Sequence, residues 1–175
     1  MPLMSNMIAG PLPLAALLVE LTPLIRAAGA VVMGVYATDF QVEIKQDESP
    51  VTVADQRAEK VIFDGLRRIA PDVPIVGEEA ASAGDIPDVS NRFWLVDPID
   101  GTKEFINRNG EFTVNIALID QRPPVLGLVL APALDTLYAG AAGVGAWVEI
   151  GDARRSIGVR RLPADGLTVV GSRHH

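Results

Sequence analysis

The 175-residue chain contains no cysteine. Disulfides, thiolate metal sites and cysteine nucleophiles are thereby excluded, and a reducing compartment is the natural setting. Histidine is nearly as scarce: its two copies, His174 and His175, both stand at the C-terminus. A histidine-rich zinc centre is not available to such a chain. Any metal has to be held by oxygen, which favours a hard cation. Basic charge is also in short supply, with 15 Lys+Arg against 22 Asp+Glu and a net charge of −7. That balance argues against nucleic acid polymers and anionic membranes as partners. A phosphorylated small molecule stays open, because a divalent cation can sit between two anions.

A long uninterrupted apolar run is missing too. Leu12 to Tyr36 is strongly apolar, but Glu20 and Arg26 interrupt it and Pro11, Pro13 and Pro23 punctuate it. No basic segment precedes it. A largely buried helix is expected there, in preference to a secretion signal or an integral membrane span. At 49% apolar and 21% charged residues the composition is that of a globular chain, long enough for one sizeable domain. Internal repeats, low-complexity tracts and obvious linkers are absent.

The coarse pattern runs from helix to strand. Phe40 to Lys45 alternates apolar and polar residues as a short strand does, and Gln46 to Pro50 reads as a polar turn. Ala54, Ala58, Val61, Ile62, Leu66 and Ile69 recur at helical spacing, with Thr52 and Asp55 at capping-box spacing and Pro71 as a stop. Strands are expected at Val73–Val76, Arg92–Val96, Phe112–Ile119, Val125–Leu130, Thr136–Ala139, Ala146–Ile150 and Leu167–Val170. Helices first and closely spaced strands afterwards predict an α+β fold, a layered α-β sandwich with a mostly antiparallel sheet.

Three acidic features fall where strands or helices end. They are Glu78-Glu79 after the first of the later strands, Asp97-Pro-Ile-Asp100 after the second, and Asp55 opening a helix. Carboxylates converging at one rim repel and lose solvation unless a cation joins them. Oxygen-only ligands suit Mg²⁺. Pro98 fixes the backbone between the aspartates, and Gly101 allows the main chain to approach a ligand. A helix starting at Thr102 would offer free N–H groups to a phosphate. Plainer readings stand beside these: Asp55 as a cap, Glu78-Glu79 as a solvated turn, Asp97–Gly101 as an ordinary turn, and Lys103 as a surface cation.

The strings Asp47-Glu-Ser-Pro-Val-Thr-Val-Ala-Asp55, Gly77-Glu-Glu79 and Trp94-Leu-Val-Asp-Pro-Ile-Asp-Gly-Thr-Lys-Glu-Phe105 resemble the inositol monophosphatase superfamily. The Lys103-Glu104-Phe105 extension and Asn107 to Ile119 resemble its bisphosphate nucleotidase branch. The resemblance implies the superfamily's layered sandwich, with Glu78, Asp97, Asp100 and the Ile99 carbonyl as Mg²⁺ ligands. It implies that Glu78 and Thr102 position the attacking water and that Asp55 serves a further metal and water activation. The substrate set it implies is Glu78, Ile99, Asp100, Gly101, Thr102, Lys103 and His175. The implied reaction takes adenosine 3′,5′-bisphosphate to AMP and phosphate in sulfate assimilation, with Li⁺ inhibition and some activity on the sulfated nucleotide. The implied setting is cytoplasmic, and this branch also allows peripheral attachment to the inner face of the cell membrane.

One departure stands out. The superfamily completes its metal site with an aspartate in a Trp-Asp motif, whereas Trp94 and Trp147 precede Leu95 and Val148 here. Residues 1–175 are therefore expected to be one N-terminal α+β portion of such a domain, incomplete at the C-terminus. The ending Ser172-Arg-His-His175 resembles the nucleotidase branch; a terminal histidine pair is equally what an appended tag leaves. Inositol or sugar phosphatase is the alternative activity, and a catalytically inactive metal-binding fragment is the alternative of another class. Oligomeric state is not legible.

Overall fold

The computed structural model describes residues 12–44, 50–85, 87–89, 91–169 and 171. The first helix, α1, runs Leu14–Tyr36 and buries Leu17, Leu18, Leu21, Leu24, Ile25, Ala28, Val32 and Val35 on one face. Steps of three and four residues put these side chains on a single stripe. By length and composition α1 could cross a membrane, but this stripe packs on protein. Arg26, which breaks the apolar run, reaches out to Asp135 at 3.3 Å and Glu149 at 3.0 Å. At the helix end Arg108 donates to the carbonyls of Tyr36 and Thr38 and lies over the Phe40 ring. Two carbonyls beyond the last helical rungs are thereby satisfied.

The second helix, α2 (Val53–Ile69), begins with the expected capping box between Thr52 and Asp55. It buries Ala54, Ala58, Ile62, Gly65 and Leu66 against α1. Each fully buried Leu or Ile in this seam contributes roughly 1.5–3 kcal/mol. Gly65 lets the helices approach: a Cβ there would lie 2.3 Å from Leu24 Cδ1 and 2.6 Å from Leu24 Cδ2. Leu24 can swing from an alanine but not from a branched side chain. Gly65→Val is expected to cost about 1–3 kcal/mol in urea unfolding with an unchanged slope. A loss below about 0.5 kcal/mol would show that the seam opens freely.

Both helices lie on one face of a seven-stranded sheet. Its order is β3 (Ile75–Gly77), β4 (Arg92–Asp100), β5 (Thr113–Asp120), β6 (Pro124–Ala131), β7 (Thr136–Ala141), β8 (Gly145–Ile150) and β9 (Ala153–Ile157). The β3–β4 pair is parallel and every other neighbouring pair is antiparallel. The alternation of Val114, Ile116 and Leu118 with Asn115, Ala117 and Ile119 sends one set into the core. A separate antiparallel pair, β1 (Val42–Ile44) and β2 (Pro50–Thr52), leads into α2. Short helices α3 (Glu78–Ser82) and α4 (Thr102–Ile106) follow β3 and β4.

The layered, mostly antiparallel architecture matches the expectation from sequence, with four local corrections. Pro50 opens a strand where a turn was expected; the rest of that turn lies outside the described residues. Glu78-Glu79 is the first turn of a helix, since Gly77 releases the chain from β3 and acidic residues suit a helix start. Residues 167–169 form no strand, and Val170 lies outside the described residues. Ala153–Ile157, whose arginines hide a strand from any hydrophobic pattern, instead pairs with β8 as the charged edge.

Candidate active site

A parallel pair brings the acidic motifs together. In the β3–β4 register Gly77 stands beside Val96, so the next residues along the two strands, Glu78 and Asp97, emerge side by side. Antiparallel pairing of β4 with β5 then slips: Asp97 faces Asn115 and Asp100 faces Thr113. Two residues of β4, Pro98 and Ile99, thus oppose the single Val114. This is a β-bulge, one of the few places in a sheet that tolerates a proline. Pro98 and Ile99 both turn into the core, and the extra residue returns Asp100 to the face that Asp97 occupies.

Asp97 is mostly buried, and its Oδ1 has no hydrogen-bond partner among the described residues. Burial is the largest influence on its carboxyl, followed by the charge of Glu78, a hydrogen bond with Glu78, and the charge of Asp100. Together these push it up to about 8, against a lowering by the Ile99 backbone. Opposite it, Asn115 Oδ1 is likewise buried without a partner. Two orphaned acceptors beside neighbouring carboxylates make a setting that a cation would complete. Among the described residues no three carboxylates or imidazoles crowd one point as an assembled cage. The donors nonetheless fit Mg²⁺, being oxygens only, with one of Asp97's buried and unspent.

The start of α2 meets the start of α4 beside this pair. Asp55 is 1% exposed, and its Oδ2 accepts from Thr52 N–H at 2.8 Å and Thr52 Oγ1 at 2.7 Å. Thr102 Oγ1 lies 3.1 Å from the Ile99 carbonyl and 3.5 Å from Asp55 Oδ1. The capping and site readings of Asp55 are therefore compatible. Gly101 precedes α4 at φ +94°, in the left-handed region, and a Cβ there would stand 3.1 Å from the Glu111 carbonyl. Only glycine meets both demands at low cost. Lys103 is exposed on α4. His175 lies outside the described residues. The structure thus gathers Asp55, Glu78, Asp97, Ile99, Asp100, Gly101 and Thr102 around β4. Asn115 and Glu59 were not singled out from sequence, although Glu59 falls one helical turn after Asp55.

Residues 14–169 match the inositol monophosphatase family, and the chain belongs to it. Members of that family are metal-dependent phosphatases. Among curated relatives, the 3'(2'),5'-bisphosphate nucleotidase CysQ of Salmonella typhimurium is 50% identical over 161 residues, covering 91% of this chain and 64% of that protein. The chain therefore spans just under two thirds of that relative's length. Among solved structures, the extragenic suppressor protein suhB from Bartonella henselae superposes with a TM-score of 0.69 at 29% identity, covering 84% of this chain and 56% of that one. CysQ from Bacteroides thetaiotaomicron gives a TM-score of 0.63 at 34% identity, covering 82% and 53% respectively.

Proposed function

We propose that this chain carries the acidic side of a Mg²⁺-dependent phosphatase site that hydrolyses the 3′-phosphate of adenosine 3′,5′-bisphosphate, giving AMP and phosphate. Asp97 carries the reading: its carboxyl keeps one buried, unspent oxygen and stands next to Glu78 and Asp100. The substrate assignment rests on the chain's 50% identity to a relative named as a 3'(2'),5'-bisphosphate nucleotidase. A cytoplasmic setting in sulfate assimilation follows from the same assignment.

In this proposal Glu78, Asp97, Asp100 and the Ile99 carbonyl hold Mg²⁺. Bound there, the ion would polarise the phosphoryl group and acidify a water. The chain's own residues do the rest. Thr102 Oγ1, held by Asp55 and the Ile99 carbonyl, presents its free lone pair to that water, and Glu78 shares in orienting it. The water oxygen bonds to phosphorus as the bond to the ester oxygen breaks. One water proton passes toward the Thr102–Asp55 pair, and the departing alkoxide takes a proton from solvent. Gly101 and the N–H groups opening α4 receive the phosphate oxygens, and Lys103 lies beside them.

Phosphate release from adenosine 3′,5′-bisphosphate and from inositol 1-phosphate, each with Mg²⁺ and with EDTA, tests the reading. Turnover of the nucleotide at least about tenfold above the inositol ester is expected, a difference of about 1.4 kcal/mol in transition-state binding. Preference for the inositol ester or a sugar phosphate would move the assignment within the family. Mg²⁺ binding without turnover of any of them would favour the metal-binding protein.

A further inference from the structure

We infer that Glu59 is a positioning residue for the acidic site, acting through the first turn of α3. The inference rests on the metal-site reading above. Glu59 sits on α2 four residues after Asp55, so the same face of that helix serves both short helices. Its Oε2 accepts from Glu79 N–H at 3.1 Å and from Ala80 N–H at 3.5 Å. These are the second and third residues of α3, whose opening N–H groups have no intrahelical partner. The preceding residue, Gly77, supplies no side-chain cap. A carboxylate some twenty positions earlier in the chain supplies it instead.

Gly77 shows that the geometry is specific. Its φ of −106° is open to any residue, so backbone conformation does not call for glycine. Space does: a Cβ would stand 2.3 Å from Glu59 Oε2, 2.9 Å from Glu59 Cδ and 2.6 Å from Phe63 Cζ. Any side chain at this position displaces the Glu59 carboxylate from α3. Glu78 lies between Gly77 and the two capped amides, so the cap fixes the backbone from which Glu78 meets Asp97. Asp55 orients the Thr102 side in the same way. One helix face thereby sets the distance between the two halves of the site.

The role asked of Glu59 is acceptance of two hydrogen bonds, which a glutamine oxygen can also provide. Mg²⁺ affinity is read by calorimetry without substrate, alongside the Mg²⁺ dependence of turnover. Glu59→Ala is expected to weaken Mg²⁺ binding about 10–100-fold, as loss of a ligand's support does, with the substrate KM at saturating Mg²⁺ within about threefold. Gly77→Ala should reproduce the defect, and Glu59→Gln should restore affinity to within about threefold. These two variants keep the comparison readable if Glu59→Ala folds poorly. Glu59→Ala or Gly77→Ala binding Mg²⁺ like the unaltered protein would overturn the inference. So would a Glu59→Gln defect equal to that of alanine, because charge would then be what matters. An unaltered protein that binds Mg²⁺ but prefers another phosphate ester defeats only the substrate assignment; one that binds no Mg²⁺ defeats the metal site and this inference together.

Discussion

Replacing Asp97 with asparagine is expected to abolish Mg²⁺-dependent turnover while making the metal-free protein more stable at pH 8. Both effects come from the same buried oxygen. Supports of metal ligands typically cost 10–100-fold when removed, so loss of a ligand itself should exceed about 100-fold in phosphate release. Stability moves the other way. Burial, Glu78 and Asp100 hold the Asp97 carboxyl at about 8, whereas an unfolded chain ionises near 3.9. Between those values the folded protein binds the extra proton, so its stability falls as pH rises through the window. The slope is at most about 1.4 kcal/mol per pH unit, and relaxation of the site reduces it. Asparagine cannot ionise, and its amide hydrogen can occupy the place of the carboxyl proton beside Glu78. In EDTA the variant should match the unaltered protein near pH 4 and exceed it by about 2 kcal/mol or more at pH 8. With Mg²⁺ at a hundred times its dissociation constant, the unaltered protein should recover about 2.7 kcal/mol and the variant nothing. Thermal unfolding at the two pH values, with and without Mg²⁺, measures each term. Equal pH profiles for both proteins would remove Asp97 from the buried acidic cluster.

The sequence carries this site unevenly, for reasons that can be named. Thr52 and Asp55 were legible because a capping box is a local device written in four residues. Asp97 and Asp100 stood out because acidic residues frame Pro98 ahead of Gly101 directly after an apolar run, where a strand end was expected; the strand in fact runs on through Asp100. What no local pattern could give is the bulge, which depends on β5 opposing β4 with one residue fewer. Nor could it give the side-by-side exit of Glu78 and Asp97, which exists only because β3 and β4 run parallel. Glu59 looked like any polar residue on an amphipathic helix, and its partners lie about twenty positions away. Asn115 became visible only once its register opposite Asp97 was known. The edge strand Ala153–Ile157 stayed hidden because it has no apolar pattern and is held by β8 backbone pairing and by Arg154 stacked over Trp147, contacts that no local sequence shows. The opposite error, a strand at Leu167–Val170, took a short apolar run as sufficient, whereas residues 167–169 pair with no strand of the described sheet.

Three substitutions at the junction of α2 and α4 should separate holding the fold from doing the chemistry. Thr52→Ala removes a hydroxyl that donates to Asp55 Oδ2 and accepts from Ala54 N–H. It should cost about 1–2 kcal/mol, the usual range for a cap, and lower kcat less than threefold. Thr102→Val keeps the shape of the side chain but removes the hydroxyl shared between Asp55 and Ile99. It should leave stability within about 1 kcal/mol, since that hydroxyl is only partly buried. Its kcat should fall about 100-fold or more, the scale for a positioned proton acceptor, with KM little changed. Asp55→Ala takes away both functions and strands the Thr52 N–H, which now bonds at 2.8 Å in the interior. A loss of about 2–4 kcal/mol is expected from the cap and the orphaned donor together. Its kcat should drop no further than that of Thr102→Val, because both variants break one unit, and the double variant should not be additive. Additive losses in kcat would place Asp55 and Thr102 in separate steps. A Thr52→Ala variant as slow as Thr102→Val would mean that the capping box, not the hydroxyl, governs the site.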